Sequence, residues 1–268
     1  MPDDDQTVDR ENHRSVAAYD SGILKALYTL SGRDVLNRIL DMDRPQTLIR
    51  ELPAQDFFWL VKKVGDNDCL PLLEMASEDQ WQYLLDLEIW KGDRLNFDQT
   101  LSWLARLHMS DPRRLVTWLF SQGRELAYFF LFKHIRVEIG DEDYVPEEGF
   151  FSLDGTFYVK VADKEHREVI EGILRTMAKE DLIRYQAILL RLAGVLPAEM
   201  EEEMQRMRSV RLTEHGFLPF DEALSVYAPL EPDSISTEKQ SELPDVVLDE
   251  ETLAMVPLSP LYHTRKGT

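Results

Sequence analysis

Apolar residues recur along this chain at helical spacing, in short runs separated by prolines, glycines and capping residues. The densest run lies in residues 125–139, where Leu126, Ala127, Tyr128, Phe129, Phe130, Leu131 and Phe132 follow one another before Lys133, His134 and Arg136. A helix apolar on every side has to be enclosed by other elements. At about 1.5 Å per residue the run is far too short for a bilayer, which needs roughly 20 residues. The pattern therefore predicts a central buried helix over 125–139.

Ahead of it the pattern predicts helices in series. Val35, Leu36, Ile39 and Leu40 share one face. Pro53 opens a segment with Phe57, Leu60, Val61 and Val64 at i, i+3, i+4 and i+7, and Gly65 closes it. Residues 69–75 form a short helix with Pro71 in its first turn, and Ser77 with Gln80 makes a capping box for a helix ending at Gly92. Asn96 caps a helix bearing Phe97, Leu101, Leu104 and His108, and Asp111-Pro112 starts another with Leu115, Val116 and Leu119. Residues 53–61 align with residues 77–85 on a shared order of cap, polar first turn, aromatic and paired aliphatics. Degenerate helical repeats of this kind stack into superhelical arrays. An irregular bundle is the alternative.

After Ile139 the character changes. A dense acidic loop precedes β-forming residues on both sides of Asp154-Gly155, the strongest short hairpin signal, suited to a type I′ turn. Asp163 then caps a helix with Val169, Ile170, Ile173, Leu174 and Met177, and residues 181–192 form the next. Pro197 starts a charged helix through Arg211, and residues 221–227 a last short one. The organisation expected is an acidic disordered arm (1–21), a helical repeat region (22–139), a region of acidic loop, hairpin and helices packed on the first (140–229), and a disordered acidic tail (230–268). The fold class is mainly α, a superhelical stack of short helices of the HEAT or armadillo kind with one small β-hairpin.

Two resemblances refine this. Leu52-Pro53-Ala54-Gln55-Asp56, echoed at Ala76-Ser77-Glu78-Asp79, resembles the helical repeats of the N-terminal domain of the MgtE magnesium transporters. Ser31-Gly32-Arg33-Asp34-Val35-Leu36, residues 149–155 and residues 216–223 are similar to a bacterial family of unknown function (DUF6178). The second likeness implies a bacterial cytoplasmic protein and supplies no activity.

Charge narrows the partners. The formal net charge is -20, with 50 acidic against 30 basic residues. That balance opposes nucleic-acid binding, which depends on Lys and Arg neutralising phosphate, and opposes docking on anionic lipid. It leaves room for a basic protein partner or a divalent cation. The acidic start and the lack of any long apolar run predict a cytoplasmic protein with no membrane insertion. Cys69 is the only cysteine, so neither an intramolecular disulfide nor a cysteine zinc cage can form, and it reads as a buried small hydrophobe.

Chemistry is sparse. The glycines form no phosphate loop, there is no Gly-x-Ser-x-Gly elbow, and no two of the six histidines stand at i, i+3 or i+4. No catalytic residue is assigned and no cofactor is expected. The one metal candidate is the carboxylate set Asp141, Glu142, Asp143, Glu147 and Glu148, since Mg²⁺ and Ca²⁺ prefer oxygen ligands; a solvated connector is the plainer reading. Met200, Met204 and Met207 form a stripe that reads as core contact or as an adaptable partner-binding surface. The function expected is a non-catalytic protein-interaction or scaffold module. The alternatives are a divalent-cation-responsive regulatory domain and an enzyme with dispersed site residues near Tyr158, Lys160 and the acidic loop.

Overall fold

The computed structural model describes residues 29–141, 144–194, 199–218 and 222–224. The expected arm and tail, and the start at Pro197 of the charged helix, lie outside these residues, as does most of the helix expected at 221–227. The chain divides into two compact units, one holding residues up to Cys69 and from Leu218 on, the other Leu70–Phe217.

In the first unit, α1 (Gly32–Leu40) is capped by Ser31, whose Oγ accepts from Asp34 N, and it buries Val35 and Ile39. Helix α2 (Pro45–Glu51) starts on a proline, where the missing N–H costs nothing. Helix α3 (Ala54–Val64) buries Phe57, Leu60, Val61 and Val64, the face its spacing predicts, and ends at Gly65 with φ 98°. Helices α1 and α3 approach so closely that a Cβ on Gly32 would overlap the Lys63 carbonyl. The buried Cys69 donates its thiol to Asp66 O at 3.4 Å.

The second unit opens with α4 (Leu70–Met75) and α5 (Glu78–Glu88). Both hydrogen bonds of the Ser77–Gln80 capping box are present, at 3.2 and 2.7 Å. Trp81 is fully buried, donates Nε1 to Leu73 O at 2.9 Å and lies under the Arg114 guanidinium. The helix does not run on to Gly92. It stops at Glu88, and Gly92 at φ 66° turns a two-stranded hairpin, β1 (Trp90–Lys91) and β2 (Arg94–Leu95). Helices α6 (Phe97–Ser110) and α7 (Pro112–Leu119) follow, capped by Asn96 and Asp111.

Helix α8 (Arg124–His134) is the enclosed element expected, with every residue from Leu126 to Leu131 buried. It is shorter than the sequence suggested. At Ile135 the chain becomes strand β3 (Ile135–Ile139), because Ile-Arg-Val-Glu-Ile alternates with period two and is rich in β-branched residues. With β4 (Phe151–Ser152) and β5 (Phe157–Val161) it forms an antiparallel sheet of order β3-β5-β4. Among the described residues two small sheets thus stand where one hairpin was expected. The Asp154-Gly155 turn is also wider than a type I′ turn, since Ser152 pairs with Tyr158. Asp154 Oδ1 holds it by accepting from Thr156 N and Phe157 N at 3.0 and 2.9 Å.

Helix α9 (Arg167–Glu180) begins after His166, so Asp163 organises the preceding loop rather than capping the helix. Asp181 caps α10 (Leu182–Leu192), and α11 (Met200–Glu214) completes the unit. His108 bridges α6 to α9 through Thr176 Oγ1 at 2.9 Å. Ser77→Ala should lower stability by about 1 kcal/mol, the usual worth of an N-cap; chemical denaturation at neutral pH measures it.

Candidate functional site

The second unit carries a cleft of about 290 Å³ between α5, the α7–α8 turn and α11. Each wall follows from local sequence. The capping box fixes the start of α5, which turns Trp81, Leu84 and Leu85 inward and brings Asp86 with them. Helix α11 begins with Glu201, Glu202 and Glu203, acids that suit the positive end of a helix dipole. Glu201 also accepts from Leu95 N at 2.9 Å and lies 3.5 Å from Arg94, so the small hairpin holds the start of α11. The Trp118 indole lies against Gly123, where any Cβ would overlap its six-membered ring. Only glycine permits that approach.

Asp86 is the electrostatic centre. It is 3% exposed and meets Arg211 through two hydrogen bonds of 2.6 and 2.7 Å, with a third from Gln82 Nε2 at 3.0 Å. Arg208 Nε donates to the Asp86 carbonyl at 2.6 Å, and its guanidinium lies 5.5 Å from the Trp90 ring centre. Burial lowers the Arg208 pKa, with the Asp86 carboxylate opposing. The buried charge is therefore paired and hydrogen-bonded, as it must be to persist in a low-dielectric setting. At the rim, Glu125 pairs with Arg124 and Glu203 with Arg206.

Of the predicted methionine stripe, Met204 and Met207 line this cleft, while Met200 is buried and does not. Met204 is buried and Met207 is 48% exposed. The acidic loop is described only in part. Asp141, Glu147 and Glu148 are exposed, while Glu142 and Asp143 lie outside the described residues. Among the described residues no group of three or more His, Cys, Asp or Glu side chains is placed to hold a metal ion. Near the sheet, Lys160 lies over the Phe150 ring at 5.4 Å and Tyr158 packs on Tyr144 at 4.7 Å. The Tyr144 hydroxyl donates to Glu138, and that bond pushes its pKa up to about 12.

A second concentration of polar groups joins α8 to the start of α9. The His134 and His166 rings stand 6.0 Å apart, and His166 Nδ1 lies 3.3 Å from Asp163 Oδ2 without hydrogen-bond alignment. His134 Nε2 is buried and lacks a hydrogen-bond partner. Burial and the neighbouring His166 lower the His134 pKa, with Asp163 and Asp98 opposing.

Sequence reasoning singled out Met204 and Met207, which line the cleft, and missed Asp86 and Arg211. The only local sign was an aspartate one residue beyond the apolar pair Leu84-Leu85, and its partner lies 125 positions away. The chain belongs to a family of unknown function (DUF6178), whose model matches residues 14–266. No curated protein matches the chain, and neither does any solved structure.

Asp86→Ala should strand Arg211 and cost about 1.5–3 kcal/mol, the range for hydrogen bonds to charged groups; urea unfolding of the variant tests this. Stability should also respond to acid. Burial lowers His108 and His134 below their ordinary 6.5, so the unfolded chain takes up protons more readily than the folded one. That contribution is fully present above pH 6.5 and declines as the pH falls through the two folded values. Urea midpoints at pH 7.5 and 5.5 should differ, and His134→Gln should narrow the difference.

Proposed function

We propose that this chain is a non-catalytic protein-interaction or scaffold module whose cleft receives a large apolar side chain of a partner protein. The observation that carries this reading is Met207, half exposed above a cleft lined also by Trp90, Trp118 and Met204. Methionine is unbranched and polarizable, so such a surface repacks around varied apolar anchors. The volume sits at the lower edge of the roughly 300–1,000 Å³ typical of small-molecule pockets, room enough for one or two side chains. The charges within it are paired, which suits desolvation by a partner better than it suits acid–base chemistry. The reading takes the short helices as a superhelical stack, supported by the recurring cap, aromatic and aliphatic order, and takes the module as cytoplasmic, as its composition suggests.

A phage-displayed random peptide library tests it. Peptides enriched on the chain should share a Leu, Phe, Trp or Met anchor. They should bind Met207→Asp at least tenfold more weakly, a loss of about 1.4 kcal/mol, with an unchanged melting temperature. No enrichment, or equal binding to the variant, would refute the reading.

A further inference from the structure

Strand β3 forms one edge of its sheet: β5 pairs with it on one side, and among the described residues no strand lies on the other. The pairing fixes which backbone groups face outward. Ala162 N donates to His134 O and Gly140 N to Thr156 O, while Arg136 stands opposite Lys160 and Glu138 opposite Tyr158. In an antiparallel ladder hydrogen-bonded positions alternate, so residues 134, 136, 138 and 140 face β5. The N–H and C=O groups of Val137 and Ile139 therefore point to the open edge. Such an edge is a template for another strand.

Its sequence selects the strand. Read against itself in the opposite direction about Val137, Ile-Arg-Val-Glu-Ile places Val137 opposite Val137, Arg136 opposite Glu138 and Ile135 opposite Ile139. Every opposed pair is then either apolar or of opposite charge, the arrangement that stabilises cross-strand neighbours. The outward N–H and C=O groups of the two Val137 residues fall into one hydrogen-bonded pair on the two-fold axis. Shifting the register by two residues either way sets Arg136 against Arg136 or Glu138 against Glu138, which like-charge repulsion disfavours. A one-residue shift breaks the hydrogen-bond alternation. Arg136 already reaches Glu138 on its own strand at 2.7 Å, so two copies would close a ring of four alternating charges. Ile139, 53% exposed in the single chain, would be covered by Ile135 of the second.

We infer that β3 is a homodimerisation edge, two copies of this chain pairing antiparallel about Val137 to join their three-stranded sheets. The interface is isologous, as a two-fold dimer requires. It is also short, so association is weak and depends on concentration.

Sedimentation velocity of the full chain over a concentration series tests the inference. The wild-type mass should move toward twice the monomer value as concentration rises. Val137→Pro should stay monomeric with little change in melting temperature, because the N–H it removes faces away from β5. Arg136→Glu and Glu138→Arg should each stay monomeric alone, through repulsion of like charges, and should form a heterodimer when mixed. A thermal melt checks that the Glu138 variant, which loses its Tyr144 bond, is folded. A wild-type chain that stays monomeric at the highest attainable concentration would overturn the inference. So would a dimer that persists in Val137→Pro and in both charge variants.

Discussion

A helix without a polar side cannot rest on a surface, and the second unit is arranged to meet that condition for α8. Six consecutive buried residues, Leu126 to Leu131, leave no stripe for solvent. Enclosing them takes the neighbouring α7 together with α10 and α11 from farther along the chain. Water released from that much apolar surface is the main driving force available to the unit. The polar features sit where this enclosure ends. The cleft opens at the N-terminal turn of α8, the histidine pair lies at its C-terminal end, and β3 leaves directly from its last residue.

Much of this was legible in the chain. Caps are local, so Ser77, Asn96 and Asp111-Pro112 each announced a helix start within a few residues of where it occurs. The hairpin around Asp154-Gly155 was legible for the same reason, but its width was not. Asp154 satisfies two backbone N–H groups and also accepts from Gln186 on α10 at 2.9 Å, a tertiary tie that no local pattern reveals. Strand β3 was read as helix because its apolar residues continue those of α8 without a break. The change of period from 3.6 to 2 occupies only five residues. The β1–β2 hairpin does carry a Gly-Asp turn signal at Gly92-Asp93, but two-residue strands are too short to display alternation.

The candidate site divides along the same line. A methionine stripe is a periodicity and can be read from one helix. The buried aspartate it stands beside is not, because its meaning depends on an arginine contributed by a distant segment. The acidic loop is a dense local pattern of carboxylates, of which Asp141, Glu147 and Glu148 fall within the described residues and are exposed.

The distance between Asp86 and Arg211 also bears on how the protein is made. A ribosome delivers α5 long before α11, so Asp86 leaves the exit tunnel well ahead of the Arg211 guanidinium that clamps it. Until then its carboxylate belongs in water, and α5 cannot seat its final turn against the body of the unit without stranding a charge. Closing so long a loop carries an entropic cost that falls late in folding. The cleft is therefore the last part of the unit to be completed during synthesis, and a nascent chain stalled before α11 would carry its apolar wall uncovered.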